Sequence, residues 1–421
     1  LKDCRMRRAP ATPTSAFFAR MNWPPRLISA GKQLLWLLYL VGFSPLAPAW
    51  AQLKPAELEV RVPHPPQAVT GSDGLLHVAY ELHLTNFYLS TGQLVLKQLT
   101  VFADEELTSL VTFPAAQLPA LLAHPLTGRD TAVSGVPIEA GRRVVLFVWL
   151  PIPTQGAPVH ALRHQLVVES AHGERQVVNG VLTPLLRTPA LVLAPPLAKG
   201  DWLASEGPGQ ARSHHWGSIV VANGQTTIPQ RYAIDFFGLD QTCHAVTVDR
   251  DRLAQSQVSD WNGYGTPVLA VAEGIVRDLR DGEPDHAPLA PLSPPAALTV
   301  RGLMGNFIVL EIAPHVFVHY AHLRPGSLQV KRGQRVKPGT ILGQVGQSGN
   351  ANAPHLHFQV STTATFEEAE GVPFVLTRFK RIGAASIGQL LDRSVPLRLK
   401  TTIPAWHVRQ LPLDGDILHF D

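Results

Sequence analysis

The sequence predicts a mainly β protein, with an N-terminal β-sandwich-like domain followed by a second antiparallel β domain, and three observations carry that reading. Leu76, Val78, Tyr80, Leu82 and Leu84 alternate with His77, Ala79, Glu81, His83 and Thr85 at the period of a strand with one buried face. Short apolar runs recur between turns, and 37 prolines and 33 glycines leave little room for long helices. At 421 residues, 45% hydrophobic and 16% charged, the chain is long enough for two or three domains with their own cores.

Residues 1–51 read as an upstream extension and a secretory signal peptide. Met21 precedes Arg26 and Lys32, then the apolar run 34–41, then Ala49-Trp50-Ala51, which places cleavage before Gln52. A membrane anchor is the other reading, but the run is short of the roughly 20 residues a span needs. No second apolar span follows, so no transmembrane anchor is expected after cleavage, and the chain is expected to be periplasmic or secreted. The leader holds seven basic groups and one acidic group. The remainder has 29 basic and 31 acidic side chains, a formal charge of −2. The basic character belongs to the leader, and no nucleic-acid partner is implied. Cys4 leaves with it and Cys243 is alone, so neither a disulfide nor a cysteine metal site is available.

Residues 52–195 are expected to form the sandwich. The run Val144-Val145-Leu146-Phe147-Val148-Trp149-Leu150 is closed by Pro151 and Pro153, and Leu166-Val167-Val168 and Val177-Val178 mark further strands. Its histidines (His64, His77, His83, His124, His160, His164) are scattered and read as solvated. The domain shows no chemistry; spacing, docking or covering a neighbour's groove is its expected work. Residues 188–196 read as a linker.

Residues 200–365 form the second domain and 366–421 a tail packing on it. Val268–Ala272 and Glu273–Val276 give a strand–turn–strand signal. Residues 281–299, Pro-rich and aperiodic, read as an inserted loop, either the rim of a groove or a floppy excursion. Gly305–Leu310 and Val316–Tyr320 read as a hairpin, with His322 just beyond it. The Gly349-Asn350 turn then leads into Pro354-His355-Leu356-His357-Phe358. Two histidines two residues apart on a strand project from one face and can offer two imidazoles to one metal. His319 reads as a non-ligand, His244, His286 and His315 as solvated loop residues, Glu273 as structural, and Asn350 and Asn352 as turn residues.

Residues 232–360 resemble the lysostaphin/LytM-type zinc endopeptidases, peptidase family M23. The resemblance rests on Ala233-Ile234-Asp235-Phe236, on Gly265-Thr266-Pro267-Val268 through Ala272-Glu273-Gly274-Ile275-Val276, on Tyr320-Ala321-His322-Leu323, and on Pro354-His355-Leu356-His357-Phe358. It implies an antiparallel β, barrel-sandwich-hybrid-like fold with a groove, a Zn2+ cofactor, and peptidoglycan peptides as substrate. Asp235 and His357 would be metal ligands. His322 and His355 would be the pair that polarises the attacking water and stabilises the oxyanion. Zinc lowers the pKa of its water towards about 7, and a nearby imidazole can take the proton and return it to the leaving amine.

The sequence departs from the family pattern His-x-Gly-x-Asp at Arg231, whose guanidinium has no lone pair for zinc. Two readings follow. In one, a histidine of the pair His214-His215 supplies the third ligand, His215 being favoured, and Arg231 takes the place of an arginine the family often has upstream. In that case Ile219-Val220-Val221 pairs with the strand ahead of Asp235. In the other, Arg231 forms a salt bridge with Asp235 in a metal-free groove, and the chain is a non-catalytic protein that binds and regulates a cell-wall hydrolase. A lipoyl- or biotin-carrier reading is set aside because Lys331 and Lys337 lack the expected flanking Met or Asp.

Overall fold

The structure, a computed structural model, describes residues 54–123, 134–210, 213–291, 299–394 and 405–421. The expected leader, Cys4 and His124 lie outside the described residues. Among the described residues no helix is long and apolar enough to cross a membrane.

The chain is mainly β. Two sheets form the N-terminal sandwich. One runs in the order Lys54–Pro55, Arg175–Pro184, Ala161–Ser170, Leu94–Ala103, Ser109–Pro114, with Val136–Ile138 on Leu94–Ala103. The other joins Glu59–Arg61, Leu76–Asn86 and Val69–Thr70, with Arg142–Ile152 on Leu76–Asn86. Tyr80, Leu82 and Leu84 pack between the sheets with Leu96, Leu99, Val148 and Leu166.

The strand Leu76–Asn86 departs from the expected pattern. Both of its faces are buried, every residue from His77 onward. The outer face is covered by the second half of the chain: Ala79 and Phe147 share one apolar cluster with Trp216, Tyr232 and Phe374. His77 and His83 are therefore buried instead of solvated. The His77 ring stacks on Trp149 at 4.5 Å and its Nε2 donates to Asp73 at 2.8 Å. His164 is buried between the sheets, its Nδ1 donating to Val181 O and its Nε2 accepting from Tyr80 (2.8 Å each). His64 is half-buried and His160 exposed.

The second half is built on an eleven-stranded sheet. Its central order is Phe374–Ala384, Asp416–Phe420, Gly200–Ser205, Ile234–Leu239, Leu356–Ser361, Val316–Ala321, Phe307–Ala313, Gly274–Arg280. Val316–Ala321 and Phe307–Ala313 form the expected hairpin. Pro267–Leu269 and Gly274–Arg280 are both strands but not partners; the first pairs with Ile341–Gln344 and the second with Phe307–Ala313. The expected linker is partly a strand, Leu191–Leu193, parallel to Phe374–Leu376. The last residues are sheet members as well, since Asp416–Phe420 lies between Phe374–Ala384 and Gly200–Ser205.

Candidate metal centre

Asp235 and His357 stand opposite each other on neighbouring strands, Ile234–Leu239 and Leu356–Ser361. Directly paired side chains on one face of a sheet lie about 5 Å apart at Cβ, close enough to share a ligand. His357 Nδ1 lies 3.0 Å from Asp235 Oδ1. His355, two residues earlier, projects the same way: its Nε2 is 3.4 Å from the same oxygen, and its ring stacks on Phe237. His322 follows Val316–Ala321, whose Ala321 pairs with His357. It has φ 60°, a left-handed conformation costly to a residue with a Cβ, and its ring lies 4.8 Å from that of His355.

The third strand-end contribution comes from upstream. Ser205 pairs with Asp235, after which the chain turns and brings His215 back over the carboxylate. His215 Nε2 is 3.5 Å from Asp235 Oδ1, and its ring is 4.8 Å from that of His357. Val220–Ala222 pairs with Gln225–Thr227, the short strand ahead of Asp235. All five of His215, Asp235, His322, His355 and His357 are buried.

The outward nitrogens define the tautomers. His215 Nδ1 donates to Glu206 O (3.0 Å), His322 Nδ1 to Ser348 O (2.9 Å), His355 Nδ1 to Ala353 O (2.7 Å) and His357 Nε2 to Gln359 Oε1 (2.9 Å). Oxygen acceptors fix the hydrogen on those nitrogens, so in the neutral rings the other nitrogen carries a lone pair. Three such lone pairs meet one carboxylate oxygen, and among the described residues His215 Nε2 is buried without a hydrogen-bond partner. Such convergence is repulsive unless a cation lies among the donors. Imidazole nitrogens and a carboxylate are zinc's ordinary ligands, so these residues fit that ion.

The electrostatics agree. Burial pushes His215 down to about 3 against the pull of Asp235. Burial, with the His355 and His357 rings, also holds His322 well below the ordinary histidine range. Burial opposes ionisation of Asp235, but His355 and His215 outweigh it and keep the carboxyl well below its usual range. His215 and His322 are thus held neutral and Asp235 ionised, the protonation states in which imidazole and carboxylate can ligate a metal.

Arg231 is turned away. Its two terminal nitrogens bind Glu81 of the sandwich strand Leu76–Asn86, the longer contact being 3.1 Å, and its Nε donates to Glu370 at 2.6 Å. The expected alternative, an Arg231–Asp235 salt bridge, is not what forms: two other carboxylates satisfy the guanidinium. His214 sits at the rim, mostly exposed, its Nδ1 3.2 Å from Glu206 Oε2. The ligand atoms of His214, His215 and Asp235 lie within 4.8 Å of one another. His357 is nevertheless the better third donor, because it is buried and nearer Asp235, while His214 is committed to Glu206.

Other histidines stand apart. His319 is buried on Ser361 and Thr363, away from Asp235. His244 is buried beside Thr242 instead of solvated, and His315 is exposed. The described part of the inserted loop is a brace. Asp285 accepts from Tyr264 Oη and Gln347 N (2.7 Å each), and His286, half-buried, donates to Gly349 O, steadying the turn whose Ser348 holds His322. Gln359 was legible in principle, since it continues the spacing of His355 and His357. Glu206, Ser348 and Trp216 carry no local signal.

Residues 259–368 match peptidase family M23. They form an M23 peptidase domain. The matched stretch holds His322, His355 and His357 but begins after His215, Arg231 and Asp235. The chain is 32% identical over 104 residues to the cell division protein DipM of Caulobacter vibrioides, covering 25% of this chain and 14% of DipM. It is 29% identical over 96 residues to the peptidoglycan DD-endopeptidase ShyA of Vibrio cholerae, covering 23% of this chain and 17% of ShyA. The chain thus spans only a small part of either relative. Among solved structures, the catalytic domain of lysostaphin from Staphylococcus simulans is 23% identical, with 41% of this chain and 88% of that one covered and a TM-score of 0.22. The catalytic domain of the M23 protein EnpA from Enterococcus faecalis is 17% identical, with 43% and 93% covered and a TM-score of 0.25.

Proposed function

We propose that the chain is a zinc metalloendopeptidase that hydrolyses peptide bonds of peptidoglycan in the periplasm or outside the cell. The observation that carries this reading is the convergence of imidazole lone pairs, the unpartnered His215 Nε2 among them, on the buried carboxylate of Asp235. The M23 match and the endopeptidase named among the relatives support the substrate class.

Asp235, His357 and His215 would hold the ion, His215 standing in for the ligand that Arg231 cannot be. Zinc bound there would supply a Lewis acid and a water of lowered pKa. His355 and His322 each keep one nitrogen on a backbone carbonyl, leaving Nε2 to take a proton from water and return it to the leaving amine. Burial of the cluster excludes bulk water and strengthens each of these contacts.

The test is metal content and peptidoglycan hydrolysis by the purified chain. Stoichiometric zinc that is lost in His357→Ala and bound measurably more weakly in His215→Ala, together with release of soluble peptide fragments by the wild type, is expected. A wild type without zinc and without hydrolysis, at a pH where histidines are neutral, overturns the reading in favour of a non-catalytic protein that binds a cell-wall hydrolase.

A further inference from the structure

We infer that the N-terminal sandwich is a working part of the metal centre: Trp149 and Phe147 seat the turn that carries His215, and Glu81 holds Arg231 out of the site. The inference rests on the zinc reading above and assigns the sandwich a positioning role.

The described residues between Ser205 and the hairpin at 220–227 form no strand or helix of their own. Glu206 lies at φ 54°, and its carbonyl accepts from both Ser213 Oγ (2.7 Å) and His215 Nδ1 (3.0 Å). Asp414 ties the start of the turn, accepting from Gly207 N and Gln210 Nε2 (3.2 Å each), and the residue after His215 anchors its far end to the sandwich. Trp216 is 4% exposed, and its ring meets Phe147 at 6.2 Å and Trp149 at 5.6 Å, both edge-to-face and both on the sandwich strand Arg142–Ile152. Trp149 is backed in turn by the stacked His77 ring. Among the described residues the Trp216 indole N–H has no hydrogen-bond partner, so its ring contacts place it. Gly217 approaches Ala123 O closely enough that an added Cβ would lie 3.3 Å away.

Arg231 is governed from the same side. It stands four residues before Asp235, and both its terminal nitrogens are occupied by Glu81. Two features separate this centre from the family pattern, a histidine brought in and an arginine led away. Phe147 and Trp149 make the first, and Glu81 together with Glu370 the second; the three sandwich residues lie more than 60 residues upstream, on adjacent strands of one sheet. A metal ligand carried on a turn is only as well placed as that turn, and loss of supporting contacts around ligands typically weakens metal binding about 10–100-fold.

The experiment measures zinc affinity of the full chain by competition with a chromophoric chelator, for the wild type, Trp149→Ala, Trp149→Phe, His215→Ala and the double variant Trp149→Ala/His215→Ala. Trp149→Ala is expected to raise the zinc Kd about 10–100-fold, and Trp149→Phe to recover most of the loss. Because Trp149 acts through His215, the double variant should bind zinc no more weakly than His215→Ala alone. Wild-type affinity in Trp149→Ala, or a double variant weakened by the product of the two single effects, overturns the inference. If Trp149→Ala does not fold, Trp149→Leu takes its place in the same cycle and is decided by the same two results. A wild type that takes up no zinc sinks the zinc reading itself, a result distinct from wild-type affinity in the Trp149 variant.

Discussion

His322 and His357 are both buried imidazoles, yet their nitrogens are committed to different work. His357 Nδ1 faces Asp235, whereas His322 is turned towards His355 and tied to Ser348. His322→Ala should therefore keep its zinc and lose about 10²–10⁴-fold in hydrolysis, the usual scale of a general acid or base, while His357→Ala loses both. Metal analysis beside a hydrolysis assay separates the two. Glu81 gives a second residue-scale prediction. Burial raises its carboxyl pKa, but Arg231 outweighs burial and holds it below the ordinary 4.5. A depressed carboxylate contributes stability that is fully present above the unfolded value of about 4.5 and is lost as pH falls through the folded one. Glu81→Gln should cost about 3–5 kcal/mol at pH 7, as breaking a buried pair does, and should flatten the acid limb of a stability–pH curve measured by denaturant unfolding.

The strand Leu76–Asn86 shows how far alternation reaches. Leu76 to Leu84 announce a strand and name its inner face, and the structure agrees. The opposite face, His77, Ala79, Glu81, His83 and Thr85, looks solvent-bound because its cover arrives 150 residues later, with Arg231 on Glu81. The paired strands of Asp235 and His357 were legible because each carries its site residue within a local motif. The His215 turn was only half legible, since nothing in Ser213-His214-His215-Trp216 says that Trp216 has a seat on Trp149. The 346–350 turn is the element that steadies His322. Gly349 lies at φ 73°, and a Cβ there would sit 2.4 Å from Gly305 N, so neither neighbour can yield. Gly349→Ala should displace Ser348 O and lower hydrolysis on the order of 100-fold with zinc retained, the scale expected for an ångström of misplacement. Unchanged hydrolysis would show that His322 does not depend on that turn.

Over the whole described chain, the two halves are joined through a continuous core. Val69, Ala79 and Phe147 of the sandwich share an apolar cluster with Trp202, Ile234 and Phe374. The C-terminal strand region adds its own tie: Ser72 Oγ donates to Asp416, and Leu411 N donates to Thr70 O at 2.8 Å. Scanning calorimetry should therefore show one cooperative transition. Chelation should shift it downward as a unit, because an ion that binds only the folded chain adds about 2.7 kcal/mol at a hundredfold excess over its Kd. Two separated transitions, only one of them sensitive to chelator, would contradict this.

The triad of Glu81, Arg231 and Glu370 also bears on which sequences lie one mutational step away. Arg231→His would restore the residue type of the family pattern, but it would strand two carboxylates, Glu81 among them fully enclosed, without their counter-charge. The apparent repair is thus expected to lower stability unless Glu81 is replaced as well, which denaturant unfolding of Arg231→His and of Arg231→His/Glu81→Gln would show.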